Sequence, residues 1–256
     1  MKTASFALRG QRVVVTRAAG QTAELIEQLC SLGAETIELP AIEFQPPQDW
    51  APLDTAIARL PDYDWIIFTS ANGVRFFLER LDASPRDLRS LRARICAIGP
   101  ATRKALESVH LKADLVPPEY VGESLVQAFG AVELAGKRIL LPRAAGARDL
   151  VPSELRRRGA VVDVVEAYRT APPADLAERA RRIFRCEPRP HWVTFTSSST
   201  AAHLIEAAGK EAFQGVRIAS IGPVTSATVR RYGLEVAAEA RVFTSEGLVE
   251  AILAAC

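Results

Sequence analysis

The sequence predicts an α/β protein built from two doubly wound parallel sheets, each flanked by helices. Three observations predict it. Short apolar or β-branched runs alternate with amphipathic helical patterns along the whole chain. The apolar runs end in small, hydroxyl-bearing or Gly-containing turns that open a helix. The chain also repeats itself. Residues 10–47, beginning GQRVVVTRAAG, align without a gap on residues 136–173, beginning GKRILLPRAAG, with 12 of 38 positions identical, where ordinary composition would give about two to three.

In order, 12–16 reads as a strand, about 22–32 as a helix ended by Gly33, and 35–39 as a second strand. PAIEFQPP then reads as an extended link, since prolines do not donate to a sheet ladder. A helix pattern at 51–60 leads to DWIIFTSANG, a buried strand, a turn, and a helix over about 71–81. Residues 94–98 form another strand, closed by Gly99-Pro100, with a helix over 101–109. A short strand at 114–116 and a helix at 122–129 complete the first half. After 136–173 and a polar helix at 174–185, HWVTFTSSST matches DWIIFTSANG, and VRIASIGPVTSATV matches ARICAIGPATRKAL. VGESLVQAF at 121–129 and TSEGLVEAI at 244–252 correspond as well. The simplest packing puts segments 10–47 and 62–129 in one body and 136–173 and 191–252 in the other. The two Pro-ended links equally allow 10–47 to pack with 191–252 and 136–173 with 62–129.

Composition narrows the function classes. The net charge of +2 argues against generic nucleic-acid binding. No apolar run approaches the length of a membrane span, and residues 1–15 show no cleavage pattern behind an apolar core, so a cytoplasmic protein is expected. Cys30, Cys96, Cys186 and Cys256 lack C-x-x-C spacing, and His110, His191 and His203 form no metal-ligand pattern. Neither a metal nor a disulfide frame is expected. Of 32 basic residues 27 are Arg, a skew that fits carboxylate recognition or a coding bias.

In open α/β sheets ligands sit outside the carboxyl ends of the strands. Those ends carry Arg17, Thr69-Ser70-Ala-Asn72, Gly99 with Thr102, Arg143, Ser197-Ser198, and Gly222 with Thr225. Each turn is either a plain helix N-cap or part of an anion site that uses free backbone N–H groups. Six such turns, with Arg17 and Arg143 at equivalent repeat positions, point to a polyanionic ligand. The phosphate fingerprints G-x-G-x-x-G and G-x-x-x-x-G-K-[ST] are absent, as is a G-x-S-x-G elbow. Tyr168, in the link EAYRT, stands opposite Ile42 in the repeat. It is either a packing residue or a proton donor.

The TR turn after the first strand, FTSANGV, AIGPAT, VEAYRT, and the second FTSSS and IGPVT turns together resemble the uroporphyrinogen-III synthase family, over about residues 10–253. The resemblance implies two flavodoxin-like α/β domains joined by a two-stranded linker: 1–40 with 172–256, and 44–167, with linkers at about 40–46 and 166–172. It implies a cofactor-free, metal-free cyclising lyase of tetrapyrrole (haem, sirohaem or cobalamin-type) biosynthesis. Linear hydroxymethylbilane would close to uroporphyrinogen III with loss of water and inversion of ring D through a spiro intermediate. Tyr168 becomes the expected catalytic residue. Arg17, Thr69, Ser70, Asn72, Gly99, Thr102, Arg143, Ser197, Ser198, Gly222 and Thr225 become the expected substrate contacts. A cytoplasmic monomer that receives substrate by transient handover from the preceding deaminase is expected, with no nucleic-acid or membrane partner. The alternative is a non-catalytic, hinged two-domain protein that binds an anion or a tetrapyrrole.

Overall fold

Continuous apolar runs become central strands because alternate side chains point to opposite sheet faces and both faces are covered. The computed structural model describes residues 6–256. In chain order, β1 (Arg12–Val15), α1 (Ala23–Ser31), β2 (Glu35–Glu38) and β3 (Glu43–Gln45) precede α2 (Ala51–Ala58). Then come β4 (Trp65–Phe68), α3 (Ala71–Asp82), β5 (Arg94–Ala97), α4 (Pro100–Glu107) and α5 (Gly122–Ala128). β6 (Arg138–Ala144), α6 (Leu150–Arg157) and β7 (Val161–Ala171) follow. The chain finishes with α7 (Leu176–Arg185), β8 (Trp192–Phe195), α8 (Ser198–Ala208), β9 (Arg217–Ser220), α9 (Pro223–Arg231), β10 (Ala238–Glu239) and α10 (Ser245–Ala254).

The chain divides into two units, one of residues up to Glu43 with Ala171–Cys256, the other Phe44–Thr170. In the first, the sheet order is β10-β9-β8-β1-β2 and every pairing is parallel. Val13 and Val15 enter a core with Leu25 and Leu29 of α1 and Leu248 and Ile252 of α10. Val14 faces the opposite core, with Leu176, Phe184, Leu204 and Val229 from α7, α8 and α9. The sheet is therefore doubly wound. The second unit has the order β3-β7-β6-β4-β5, with Ile66 and Phe68 turned to one core and Trp65 and Ile67 to the other. Under the repeat, β6 corresponds to β1, β7 to β2, β4 to β8 and β5 to β9. Four strands of the second sheet are thus those of the first with their chain order permuted.

The Pro-ended segments enter the second unit's sheet as β3 and the end of β7. The expected strand at 114–116 is reduced to one parallel bridge, Cys96 to Leu115. The Asp114 carboxylate takes the Ile95 N–H at 2.7 Å, and Pro117-Pro118 can donate nothing further.

In each sheet the connections diverge at one strand pair, β1/β8 and β6/β4. Both pairs are fastened at the amino end. Asp64 accepts from Lys137 Nζ at 2.8 Å and from the Arg138 N–H at 2.9 Å. Its repeat counterpart His191 accepts the Arg12 N–H on Nδ1 at 3.0 Å. In the first unit the Thr16 hydroxyl also donates to the Thr194 carbonyl at 2.7 Å, and Thr194 to that of Val14 at 3.0 Å, which satisfies buried hydroxyls as a sheet centre requires.

The Lys137 bond, then the Arg138 N–H, hold the Asp64 carboxyl below its usual range. Asp64→Ala should cost about 1 kcal/mol in urea unfolding, since the pair is partly solvated, and Asp64→Asn less, because its amide oxygen still accepts from Arg138. A lowered folded pKa stabilises above the unfolded value and is lost as pH falls through the folded one. The gap between wild type and Asp64→Ala should therefore close in acid.

Candidate active site

A switch-point pair leaves a crevice at the carboxyl ends because neighbouring connections run to opposite faces. In the second unit the crevice begins where β6 leaves β4. The last registered pair is Ile66 with Leu140, and Pro142 two residues on has no N–H to offer β4. β6 stays paired with β7 but shifts register, with Arg143 opposite Glu166 and Ala144 opposite Tyr168. This irregularity turns Tyr168 into the same core as Val165 and Ala167, whereas strict alternation would send it to the other face.

Tyr168 is consequently 7% exposed, a core aromatic within a segment the sequence reads as a link. Phe76 stacks on it with centroids 5.5 Å apart, and Phe44 meets it edge-on at 5.7 Å. Its hydroxyl lies 3.0 Å from Ser70 Oγ. Ser70 is the N-cap of α3 and accepts the Gly73 N–H at 2.9 Å. That bond occupies one lone pair and leaves the Ser70 proton free to point at the Tyr168 oxygen. The Tyr168 proton can then face an incoming acceptor. A Cβ at Gly73 would stand 3.2 Å from Ser70 Oγ and 3.3 Å from the Pro142 carbonyl, so glycine lets this helix start press against β6. Burial raises the Tyr168 pKa, against a smaller lowering by the Ser70 bond.

Thr69 and Arg143 line one cavity of about 170 Å³ with Glu123 and Arg148. The two repeat-equivalent arginines differ in their partners. Arg143 donates to the Arg148 carbonyl at 2.8 Å and to Asp149 Oδ1 at 2.6 Å, so its charge is already answered within its own loop. Arg17 donates to the Ser245 hydroxyl at 3.0 Å, and among the described residues it has no ion pair. The cause lies in the sequence, where Asp149 of the second copy is Ala23 in the first.

In the first unit Ser197 caps α8 in a capping box with Thr200, and Ser198 Oγ donates to the Val224 carbonyl at 3.3 Å. Gly99 and Gly222 are the N-caps of α4 and α9. Thr102 and Thr225, three residues on, are buried, and Asn72 lies in the first turn of α3. Sequence reasoning missed the hydroxyl latch below Gly222, where Ser226 donates to Ser220 Oγ at 3.0 Å and Ser220 accepts the Gly222 N–H at 3.2 Å. The first copy has Ala97 and Arg103 at those places, so the repeat gave no signal. Among the described residues no group of three His, Cys, Asp or Glu is placed to hold a metal, and no helix is long and apolar enough to cross a membrane.

Tyr168 should ionise only above the pH of a free tyrosine. In an ultraviolet titration, the difference between wild type and Tyr168→Phe should then appear above about pH 10. Because the raised group keeps its proton longer when folded, its stabilisation is present below the unfolded pKa and falls away as pH rises. Tyr168→Phe should therefore lose less stability in alkali than wild type.

The family model described as Uroporphyrinogen-III synthase HemD matches residues 23–250. The uroporphyrinogen-III synthase of Synechococcus elongatus is 37% identical over 253 residues, 96% of this chain and 95% of that one. A mutant uroporphyrinogen III synthase of Thermus thermophilus superposes with a TM-score of 0.62 at 19% identity, covering 96% of this chain and 98% of the other. The Helicobacter pylori uroporphyrinogen-III synthetase does so with 0.62 at 19%, covering 95% and 99%.

Proposed function

From a chain that belongs to the uroporphyrinogen-III synthase family of tetrapyrrole biosynthesis, we propose a reaction in which the protein mainly positions a reactive substrate. The family match over residues 23–250 is the observation that carries the activity. The substrate is hydroxymethylbilane, a linear tetrapyrrole with eight carboxylates. A pyrrole nitrogen of ring A expels the hydroxymethyl oxygen, which leaves as water once protonated, and an azafulvenium cation remains. The substituted carbon of ring D attacks it, the spiro intermediate fragments and recloses at the other carbon, and that carbon gives up its proton, which balances the one taken by the departing water and leaves the ring inverted. Without the protein the bilane closes without inversion, so the task is to hold ring D over ring A and exclude the easier closure.

Tyr168 donates its hydrogen bond to the departing oxygen while Ser70 supports the phenol oxygen. A phenol whose pKa burial has raised is a poor acid for full proton transfer, so its contribution falls at the low end of general acid catalysis. Arg17 and the backbone N–H groups of the first turns of α3, α4, α8 and α9 anchor carboxylates. Thr69, Asn72, Thr102, Ser197, Ser198 and Thr225 border those turns. Arg143 shapes its loop and has less charge to offer. In this reading the protein is a cytoplasmic monomer that takes its unstable substrate by transient handover from the deaminase that makes it.

The test is a coupled assay with bilane generated in situ, oxidation of the products and separation of the porphyrin isomers. The type III isomer should form in enzyme-dependent excess. Type I alone at the uncatalysed rate would leave the hinged binding protein as the reading. Tyr168→Phe should lower kcat about 10- to 100-fold with little change in KM, and full turnover in that variant would make Tyr168 a packing residue. Arg17→Ala should raise KM about tenfold, the loss of one charge-assisted contact.

A further inference from the structure

The exposed large apolar side chains are unevenly distributed. Six of the nine found among the described residues stand at the carboxyl edges of the two sheets: Tyr120, Val121, Leu150, Val224, Val242 and Phe243. Scattered single apolar residues need no explanation, but clustering at the same edge of each sheet does.

Two of them form a repeated device. The offset of 123 that lays Gly99-Pro100-x-Thr102 on Gly222-Pro223-x-Thr225 also lays Tyr120 on Phe243. Each ring rests on the glycine of its own unit. A Cβ at residue 99 would stand 2.9 Å from Tyr120 Cγ, and one at residue 222 would stand 2.9 Å from Phe243 Cδ1. Neither glycine is needed for its own conformation, since φ is −172° and 164°, extended backbone open to any residue. What the missing side chain does in both units is let an aromatic ring lie against the backbone. The rings nevertheless remain 60% and 66% exposed. Ordinary core packing would bury them, because a buried aromatic contributes far more than an exposed one.

We propose that Tyr120 in the one unit and Phe243 in the other are each, independently, a substrate-contact residue whose free ring face stacks on a pyrrole ring. The inference rests on the synthase reading and adds to it an apolar component that Arg and backbone amides cannot supply. Carboxylate anchors fix the ends of the acidic arms, whereas an aromatic face adds contact that orients the flat ring itself. The two rings differ in that Tyr120 carries a hydroxyl and Phe243 does not, so the shared function is the aromatic face.

Steady-state kinetics on Tyr120→Ala and Phe243→Ala, with Tyr120→Phe and Phe243→Tyr as conservative controls, test it. Each Ala variant should raise KM for the bilane about five- to tenfold and leave kcat within about twofold, as loss of uniform binding does. The conservative variants should behave as wild type. Melting temperatures should not move, since truncating an exposed ring opens no core cavity. Ala variants with unchanged KM would overturn the inference. So would a KM rise accompanied by a clear fall in melting temperature, because the rings would then be holding their loops. Wild-type protein without synthase activity would remove the activity reading and this inference together, whereas active wild type with indifferent variants would remove only this one.

Discussion

In each sheet one pair of neighbouring strands must stay joined while the chain leaves it in opposite directions. That constraint makes the crevice, and it also makes the pair's own cohesion important. The protein meets the demand at the amino ends, with the Asp64 carboxylate on the Arg138 N–H in one unit and the His191 ring on the Arg12 N–H in the other. In the second unit the carboxyl ends are then free to diverge, whereas in the first the Thr16 hydroxyl still ties the end of β1 to the Thr194 carbonyl. Pro142 and the register shift at Arg143/Ala144 carry that divergence into the second unit, and Tyr168 reaches Ser70 because of it.

The side chains at the carboxyl edges include few conventional catalytic groups. This fits a substrate that supplies its own driving force. When a pyrrole can expel its leaving group unaided, geometry matters more than acid strength. In the proposed reading, a buried phenol braced by an N-cap serine and two aromatic rings serves as a positioned hydrogen-bond donor. The contrast between Arg17 and Arg143 follows the same economy. Among the described residues one copy of the repeat keeps its guanidinium free of ion pairs, while in the other it closes a loop.

Much of the fold class was legible because it rests on periodicity. VVV and WIIF announce strands buried on both faces, and FTSANG and FTSSS announce capped helix starts. The repeat carried over the positions of Ser70 and Ser197. Less legible were features that depend on a single residue out of pattern. The bridge at Leu115 replaced a strand because Asp114 took a ladder N–H with its side chain. Tyr168 read as a link residue because nothing local to EAYRT signals the irregularity that turns it into the core. The Ser220–Ser226 latch and the Arg143–Asp149 pair were invisible because the repeat lacks them in the other copy. Which segments share a sheet was equally open, since both packings bury similar apolar runs.

The proposed reaction stands on ligand binding at the carboxyl edge of each sheet. Hydrogen–deuterium exchange with and without uroporphyrinogen III, kept reduced under anaerobic conditions, reports on this. Protection should be confined to the turns at 17–20, 69–73, 99–102, 143–146, 197–200 and 222–225 and to the segments around Tyr120 and Phe243. Protection at the opposite edge, in the groove lined by Asp64, Arg92, Arg94 and Lys137, with those turns unchanged, would contradict it.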